Sequence, residues 1–493
     1  MVALSAASIG SIAGVPVPSY DRTSASVGIV HFGFGNFHRS HQAMYVDRLM
    51  ESGSDPDWGI CGVGLLPQDA AMRDVMVAQD CLYSLVLRHP DGSLEPRVVG
   101  SVLEYLFAPE QPEEVLARLE DPGVRIVSLT VTEGGYLKDA ATGAFDSTHP
   151  SVVHDVLSPQ RPRTAFALIV EGLRRRRAAG TPPFTVLSCD NLQGNGDFAR
   201  QTVTEFARLI DPEIAGWIEA TVQFPNCMVD RITPATTDAD RAAVREQFGI
   251  VDLWPVPAEP FTQWIVEDHF PAGRPGLEAV GVQFVPDVRP YELMKLRLLN
   301  ASHQAIAYLG APLGYVLVDE AMRDEAVVDF LLGYMRREAA PTLEGVEGID
   351  VDAYIGTLIE RFSNPMMADT LLRLATDGAN RMATFTLPTI RANLEAGRPV
   401  ALGALMVAAW AGMWEAIAAG APPECGVPND VSSEAMMAAA AGSAADPASF
   451  LGLRHLFGDL GDDPSFRAEY LRARSRLAAV GVAAAVEESL AAS

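Results

Sequence analysis

Three side chains able to do chemistry share one stretch, Tyr291-Glu-Leu-Met-Lys-Leu-Arg-Leu-Leu-Asn-Ala-Ser-His303. Lys295 offers an amine, Asn300 a carboxamide and His303 an imidazole. Leu293, Leu296, Leu298, Leu299 and Ile306 have the apolar spacing of a buried or half-buried helix. At ~100° per residue, Lys295, His303 and Asn300 fall at roughly 0°, 80° and 140°, on one side of that helix. Unpartnered buried polar groups are costly, so such a grouping among leucines points to a site. The competing reading is a salt-bridged lysine and a hydrogen-bonded core histidine, and the stretch alone does not choose between them. An amine becomes a general base when burial and cationic neighbours, here Arg297, bring its pKa toward working pH.

The elements that must position such a site begin near the N-terminus. Residues 27–32 (VGIVHF) read as a buried strand, followed by the turn Gly33-Phe-Gly35-Asn36-Phe37-His38 and a helix from about residue 39 to 50. Residues 58–66 (WGICGVGLL) read as a second buried strand. Strand, glycine turn, helix, strand is the start of a dinucleotide-binding unit. Gly33 permits the tight turn and Gly35 lets a pyrophosphate approach the backbone, with the amides around Asn36, Phe37 and His38 facing it. His38 replaces the usual third glycine, and a ligand-free turn is the alternative. Asp69 follows the second strand, where a ribose-binding acid belongs. No arginine lies between Gly64 and Ala71 to take a 2′-phosphate, which favours NAD over NADP. Asp69 as a helix cap is the competing role.

Further along, residues 82–88 and 94–101 read as a hairpin around His-Pro-Asp-Gly, residues 125–131 and 184–189 as strands, and residues 279–285 as the last strand. The stretch 224–237 reads as a polar connection. After about residue 289 nearly everything is helical. The expected architecture is an α/β Rossmann-type domain over residues 1–287 and a mainly α-helical domain over residues 288–493, with the site in the cleft between them.

Composition bounds the function. A chain of 493 residues is too long for one ordinary core. A net charge of −26 argues against nucleic acid or an anionic membrane as partner, because both need a basic footprint. The basic run Arg174 to Arg177 reads as a solvated helix face. Five scattered cysteines without a Cys-x-x-Cys pair fit a reducing, cytoplasmic setting and neither a disulfide framework nor a structural zinc site. His31, His38 and His41 straddle strand, turn and helix with no completing ligand, so no metal is expected there. Residues 1–18 lack the charged leading region of a signal peptide, and residues 401–421 read as a core helix rather than a membrane span.

Several stretches in order, IVHFGFGNFHRSHQ, WGICGVGL, LTVTEGGY, SCDNLQGNG, FPNCMVDRITP and KLRLLNASHQAIAYLG, resemble the polyol-specific long-chain dehydrogenases over about residues 27 to 390. The resemblance implies metal-independent, NAD-dependent interconversion of a polyol and its 2-ketose, with D-mannitol to D-fructose the first expectation and arabinitol or sorbitol alternatives. In the family's Lys-x-x-x-x-Asn-x-x-His motif the lysine is the acid/base, here Lys295, and Asn300 and His303 match its other members. Asn191 matches the asparagine of the family's Asp-Asn-Leu loop and would share the oxyanion with Asn300. Arg373 and Arg381 fall in a substrate-contacting segment, and family members can carry lysine at the second position. Eight residues apart, they would lie about 80° apart on one helix, and solvated ion pairs are the alternative. Glu292, one turn before Lys295, is a candidate proton relay or a surface ion pair. Asp230, paired with Arg231 or another base, and Glu133 at a strand end are candidates for supporting roles. A hexuronate reductase is the runner-up within the family, and a dinucleotide-binding sensor without turnover is the alternative class. A monomer is expected.

Overall fold

The computed structural model describes residues 1–138 and 143–493, which divide into two compact units, Met1–Arg289 and Pro290–Ser493. The first unit is α/β. Its central strands are β1 (Val27–Phe32), β2 (Gly59–Gly64), β3 (Val102–Phe107), β4 (Ile126–Leu129) and β5 (Thr185–Ser188). They form one sheet in the order β3-β2-β1-β4-β5, and every neighbouring pair is parallel. That is the strand order of a dinucleotide-binding half, and it places the switch point between the carboxyl ends of β1 and β4. Burial on both faces explains the near-continuous apolar runs of these strands: β1 and β2 are buried almost throughout.

Two smaller sheets extend this unit. Tyr83–Arg88 and Leu94–Val99 form the expected hairpin, and Val256–Ala258 adds to it in parallel. The expectation for residues 224–237 and 279–285 needs correction. Cys227–Asp230 is a buried strand, antiparallel to Gln263–Glu267, which pairs in turn with a short strand Gln283–Val285. Residues 277–280 form a 3-10 turn instead of strand, because Gly281 (φ 98°) reverses the chain there. Four residues flanked by prolines and polar side chains carry too little alternation to announce a strand.

The second unit is helical. Its first helix, Arg289–Met294, runs into a π-helical segment, Lys295–Asn300, and then into Ala301–Gly310. Two more π segments follow, Met335–Ala339 and Met382–Thr386, and both pack against Lys295–Asn300. The alanine-rich helix Ala401–Ala418 is long and apolar enough to cross a membrane, but it is mostly buried and packs against the long C-terminal helix Pro464–Ala492. Trp410 and Trp414 lie in its buried face.

Candidate active site

In the first unit the glycine turn is held from below. Gly33 has φ 90°, and a Cβ there would lie 2.1 Å from the carbonyl oxygen of Thr130, so only glycine fits. Gly35 faces open space, where a Cβ would meet nothing nearer than 3.9 Å. This is the geometry that lets a diphosphate reach the backbone. Beneath the turn the rings of His31 and His38 stack at 3.4 Å between centroids, 14° from parallel, and both are fully buried. His31 meets Ser128 Oγ (2.8 Å) and Thr130 Oγ1 (2.9 Å). Burial lowers its pKa to about 3, and burial also holds His38 well below the usual imidazole range, so the stack is neutral at physiological pH.

Three expected cofactor residues therefore play more restricted parts. His38 fills the third-glycine position with a ring turned into the core. Asn36 donates to the carbonyl of Pro234 and the hydroxyl of Thr236 (both 3.0 Å) and accepts from Arg39 (2.7 Å), so its side chain is spent on the protein. Phe37 stacks on the ring of His41 (4.9 Å), and His41 also bonds the carbonyl of Gln263 (3.0 Å). At these positions the main chain is what remains to meet a ligand. The three histidines form no metal set, and among the described residues no group of three His, Cys, Asp or Glu side chains is placed to hold an ion.

Asp69 makes no side-chain bond to the helix Ala70–Ala78 that it precedes; it caps the 3-10 turn Pro67–Asp69 instead, its Oδ2 reaching back to accept from the amides of Leu65 (2.8 Å) and Leu66 (2.9 Å). It nevertheless lies over the carboxyl end of β2, packed against Gly64, where a ribose would sit, and half-buried. Oδ1 takes no part in those two bonds.

At the ends of β4 and β5, sequence reasoning passed over Asp190. Its buried carboxylate accepts from the amides of Thr132 (2.7 Å) and Val131 (3.2 Å) and from the hydroxyl of Tyr136 (2.9 Å). Asn191, the next residue, and Glu133 are both exposed at this end of the sheet. The adjacency of a carboxylate to the Asn-Leu-Gln-Gly loop was the only available signal. Asp230 ends the strand Cys227–Asp230 opposite Gln263 and is buried. Arg231 spends its guanidinium on the carbonyls of Glu259 and Ser40, so it serves chain crossings.

In the second unit the helix carrying the motif is wider than expected. The amide of Ala301 bonds the carbonyl of Leu296, five residues back, which defines the π turn. One extra residue per turn brings Asn300 closer to the face of Lys295 than ~100° per residue allows. The 140° separation expected from the sequence is thus an overestimate. Lys295 is 8% exposed and Glu292 5% exposed. The alternative of a surface ion pair for Glu292 fails on burial. The Oδ1 atom of Asn300 is buried and meets no donor among the described residues, at a cost of about 1–3 kcal/mol. Such a cost is commonly kept where a ligand satisfies the group. Arg297 donates to the carbonyl of Thr342 (2.7 Å), fastening the π segment to the chain that follows the second one.

His303 packs its ring on Phe362 (4.9 Å between centroids) and lies close enough to Asp369 to affect its charge. Burial raises the Asp369 pKa, but the hydrogen bond and charge of Arg373, with His303, hold the carboxyl below its ordinary value. Arg373 pairs with Asp369 through Nε and Nη2, and its remaining N–H groups are uncommitted among the described residues. Arg381 donates to the carbonyl of Leu374 (3.2 Å); burial and the nearby charge of Arg373 lower its pKa. The two arginines do not share one helix. They sit on two short helices, Leu371–Ala375 and Gly378–Arg381, separated by Asp377 in the left-handed region (φ 58°). The structure gathers His303, Arg373 and Arg381 around Asp369, a carboxylate the sequence did not single out.

A Rossmann sheet joined to a helical unit with a buried lysine on its first helix defines a two-domain chain of the dinucleotide-binding dehydrogenase class. The comparisons specify it further. The mannitol dehydrogenase Rossmann domain matches residues 27–279, and the mannitol dehydrogenase C-terminal domain matches residues 287–478. Mannitol 2-dehydrogenase of Cereibacter sphaeroides is 44% identical over 96% of this chain and 98% of its own. That of Aspergillus fumigatus is 42% identical over 95% and 94%. Among solved structures, the Pseudomonas fluorescens mannitol 2-dehydrogenase ternary complex with NAD and D-mannitol aligns at TM-score 0.83 and 41% identity, covering 99% of both chains. A substrate-free D-sorbitol dehydrogenase aligns at 0.92 and 39%, covering 99% of this chain and 100% of its own. The chain belongs to the mannitol dehydrogenase family.

Proposed function

We propose that this chain oxidises a polyol at its C2 hydroxyl to the 2-ketose, reversibly and with NAD, and that D-mannitol and D-fructose are its preferred pair. The observation that carries the reading is Lys295, a buried amine on a π turn beside a carboxamide with an unmet buried oxygen. A helix fixed by packing does not keep that pair for stability alone. Family membership and the NAD and D-mannitol complex of a 41% identical neighbour support the cofactor and substrate class.

NAD, when bound, accepts the hydride from the carbinol carbon. Gly33 and Gly35 would admit its diphosphate to the backbone, and Asp69 would accept from its ribose hydroxyls. The residues of the chain then manage the proton and the oxygen. Lys295 takes the hydroxyl proton; Asn300 and Asn191 donate to the oxygen as negative charge develops. His303 orients the lysine or a neighbouring hydroxyl, and Arg373 and Arg381 hold hydroxyls further along the polyol. Glu292 passes the proton on toward solvent, while Asp230 and Glu133 order the loops that carry them.

The test is an NAD-linked rate panel over mannitol, sorbitol, arabinitol, fructose and fructuronate, before and after dialysis against a strong chelator. Fastest turnover on mannitol and fructose, unchanged by the chelator, is expected. Sorbitol in first place would move the substrate to that of the 39% identical neighbour. Fructuronate in first place would make the chain a hexuronate reductase. Activity lost to the chelator and restored by a divalent metal would overturn the lysine base.

A further inference from the structure

Asp190 has a task that the proposed chemistry does not mention. β4 and β5 are parallel neighbours, with Leu129 opposite Ser188, so the loops that leave them emerge side by side. The loop after β4 is bent at Thr132 into the left-handed region (φ 63°). Among the described residues it is the only β-branched one with positive φ, the type for which that conformation is least tolerable. Gly134 and Gly135, two and three residues on, have no positive φ, so the bend is not placed where glycine would relieve it.

The loop after β5 supplies what holds the bend. The Asp190 carboxylate takes the amide of Thr132 on one oxygen and the amide of Val131 and the hydroxyl of Tyr136 on the other. Tyr136 also meets Ser188 Oγ at 2.5 Å, which closes the network on β5. From the other side, Asn195 Nδ2 donates to the main-chain carbonyls of Asp190 (3.0 Å) and Cys227 (2.8 Å), so the backbone that carries the carboxylate is itself fixed. Each partner of the clamp directly precedes a residue of the proposed site: Asp190 precedes Asn191, and Thr132 precedes Glu133.

We infer that Asp190 is a positioning residue: it holds Thr132 in a strained turn and thereby sets Asn191 for the oxyanion chemistry and Glu133 for the ordering of its loop. This rests on the polyol dehydrogenase reading above. Asp190→Asn keeps the shape but presents an amide donor to at least one of the N–H groups it must accept. The expected result is a fall in kcat of about 10²-fold with substrate KM and NADH Kd each changed less than about threefold, because the loss is one of orientation. Thr132→Gly alone should change kcat less than about threefold. In Asp190→Asn/Thr132→Gly it should recover at least about tenfold of the loss, since glycine holds positive φ without a clamp. Asp190→Asn within twofold of the parent, or a double variant no faster than Asp190→Asn, would overturn the inference.

If Asp190→Asn fails to fold, Tyr136→Phe removes one clamp donor, and a kcat loss of about three- to tenfold is then required. Hydrogen exchange at the Thr132 amide separates this inference from the reading it rests on. A parent enzyme inactive on every polyol sinks that reading. Unchanged protection of that amide in Asp190→Asn sinks the clamp whatever the substrate.

Discussion

The glycine turn of the first unit and the lysine helix of the second solve one problem by opposite means. Each must present backbone or side chain in a conformation that regular structure does not supply. At the carboxyl ends of β1 and β4 the first unit places the departure in single left-handed residues, Gly33 and Thr132, each held by neighbours it cannot move. At the lysine the second unit spreads the departure over a π turn, Lys295–Asn300, packed against two others. Among the described residues, π segments occur only in the second unit. A strand end can tolerate one unusual φ because the sheet fixes both sides. A helix cannot without breaking, so it widens by one residue instead.

Each unit also uses a buried carboxylate to hold two backbone amides. In the first it is Asp190. In the second it is Glu338, on a π segment, accepting from Leu402 (2.7 Å) and Gly403 (2.8 Å) at the start of the helix Ala401–Ala418. Burial raises the Glu338 pKa to about 7, partly offset by those two amides. Asp190, with three donors, is also shifted upward by burial. In both, the backbone donors offset part of the burial cost and burial still prevails, so each carboxyl is raised.

The comparison can be broken most decisively at its chemical end. Lys295→Ala should lower kcat by about 10³- to 10⁴-fold and leave NADH affinity nearly unchanged, because a base acts in the chemical step. Near-normal turnover, measured under saturating NAD and polyol, would remove the second unit's claim to the chemistry. Gly33→Ala tests the first unit. A Cβ placed 2.1 Å from a backbone oxygen at φ 90° must move the turn, so NADH affinity measured by fluorescence should fall by at least about 10²-fold. Affinity within threefold of the parent would show that the turn is not where the diphosphate binds.

Smaller effects sharpen the contrast. Asp69→Ala should narrow the NAD over NADP preference in kcat/KM by roughly tenfold, the worth of one charge-assisted hydrogen bond. Since Asp69 also caps, the melting temperature should fall by a few degrees at most. An unchanged coenzyme ratio would give Asp69 the cap alone. Glu338 gives a pH signature confined to the second unit. Its folded pKa lies above the ordinary 4.5, so its stabilisation is full below about 4.5 and is lost as pH rises through about 7. The melting temperature of the parent should fall between pH 5 and pH 8, and Glu338→Gln should flatten that slope. Equal slopes by calorimetry would mean that Glu338 stays ionised throughout.

Much of this molecule was legible from residue order. Buried β-branched runs bounded by glycine announced the parallel strands, and the apolar period announced the helices, because both patterns follow from local geometry and burial. The trio Lys295, Asn300 and His303 stood out because amines and carboxamides are expensive among leucines. Other features had no local signal. The strand Cys227–Asp230 exists because a partner strand thirty-odd residues later, Gln263–Glu267, pays for its hydrogen bonds. The helix break at His41 (φ −115°, ψ −93°) and the inward turn of Asn36 and His38 follow from packing against Thr236, Gln263 and His31.

The sequence by itself determined which chemical groups are present, which segments are buried and that one helix carries an amine among apolar residues. These depend on side-chain type and period alone. Tertiary structure decided that this helix is a π turn, that Arg373 and Arg381 sit on separate helices about Asp369, and that Asp190 holds Thr132. Such outcomes depend on contacts between residues distant in sequence, where loop closure and packing choose among local conformations of nearly equal energy.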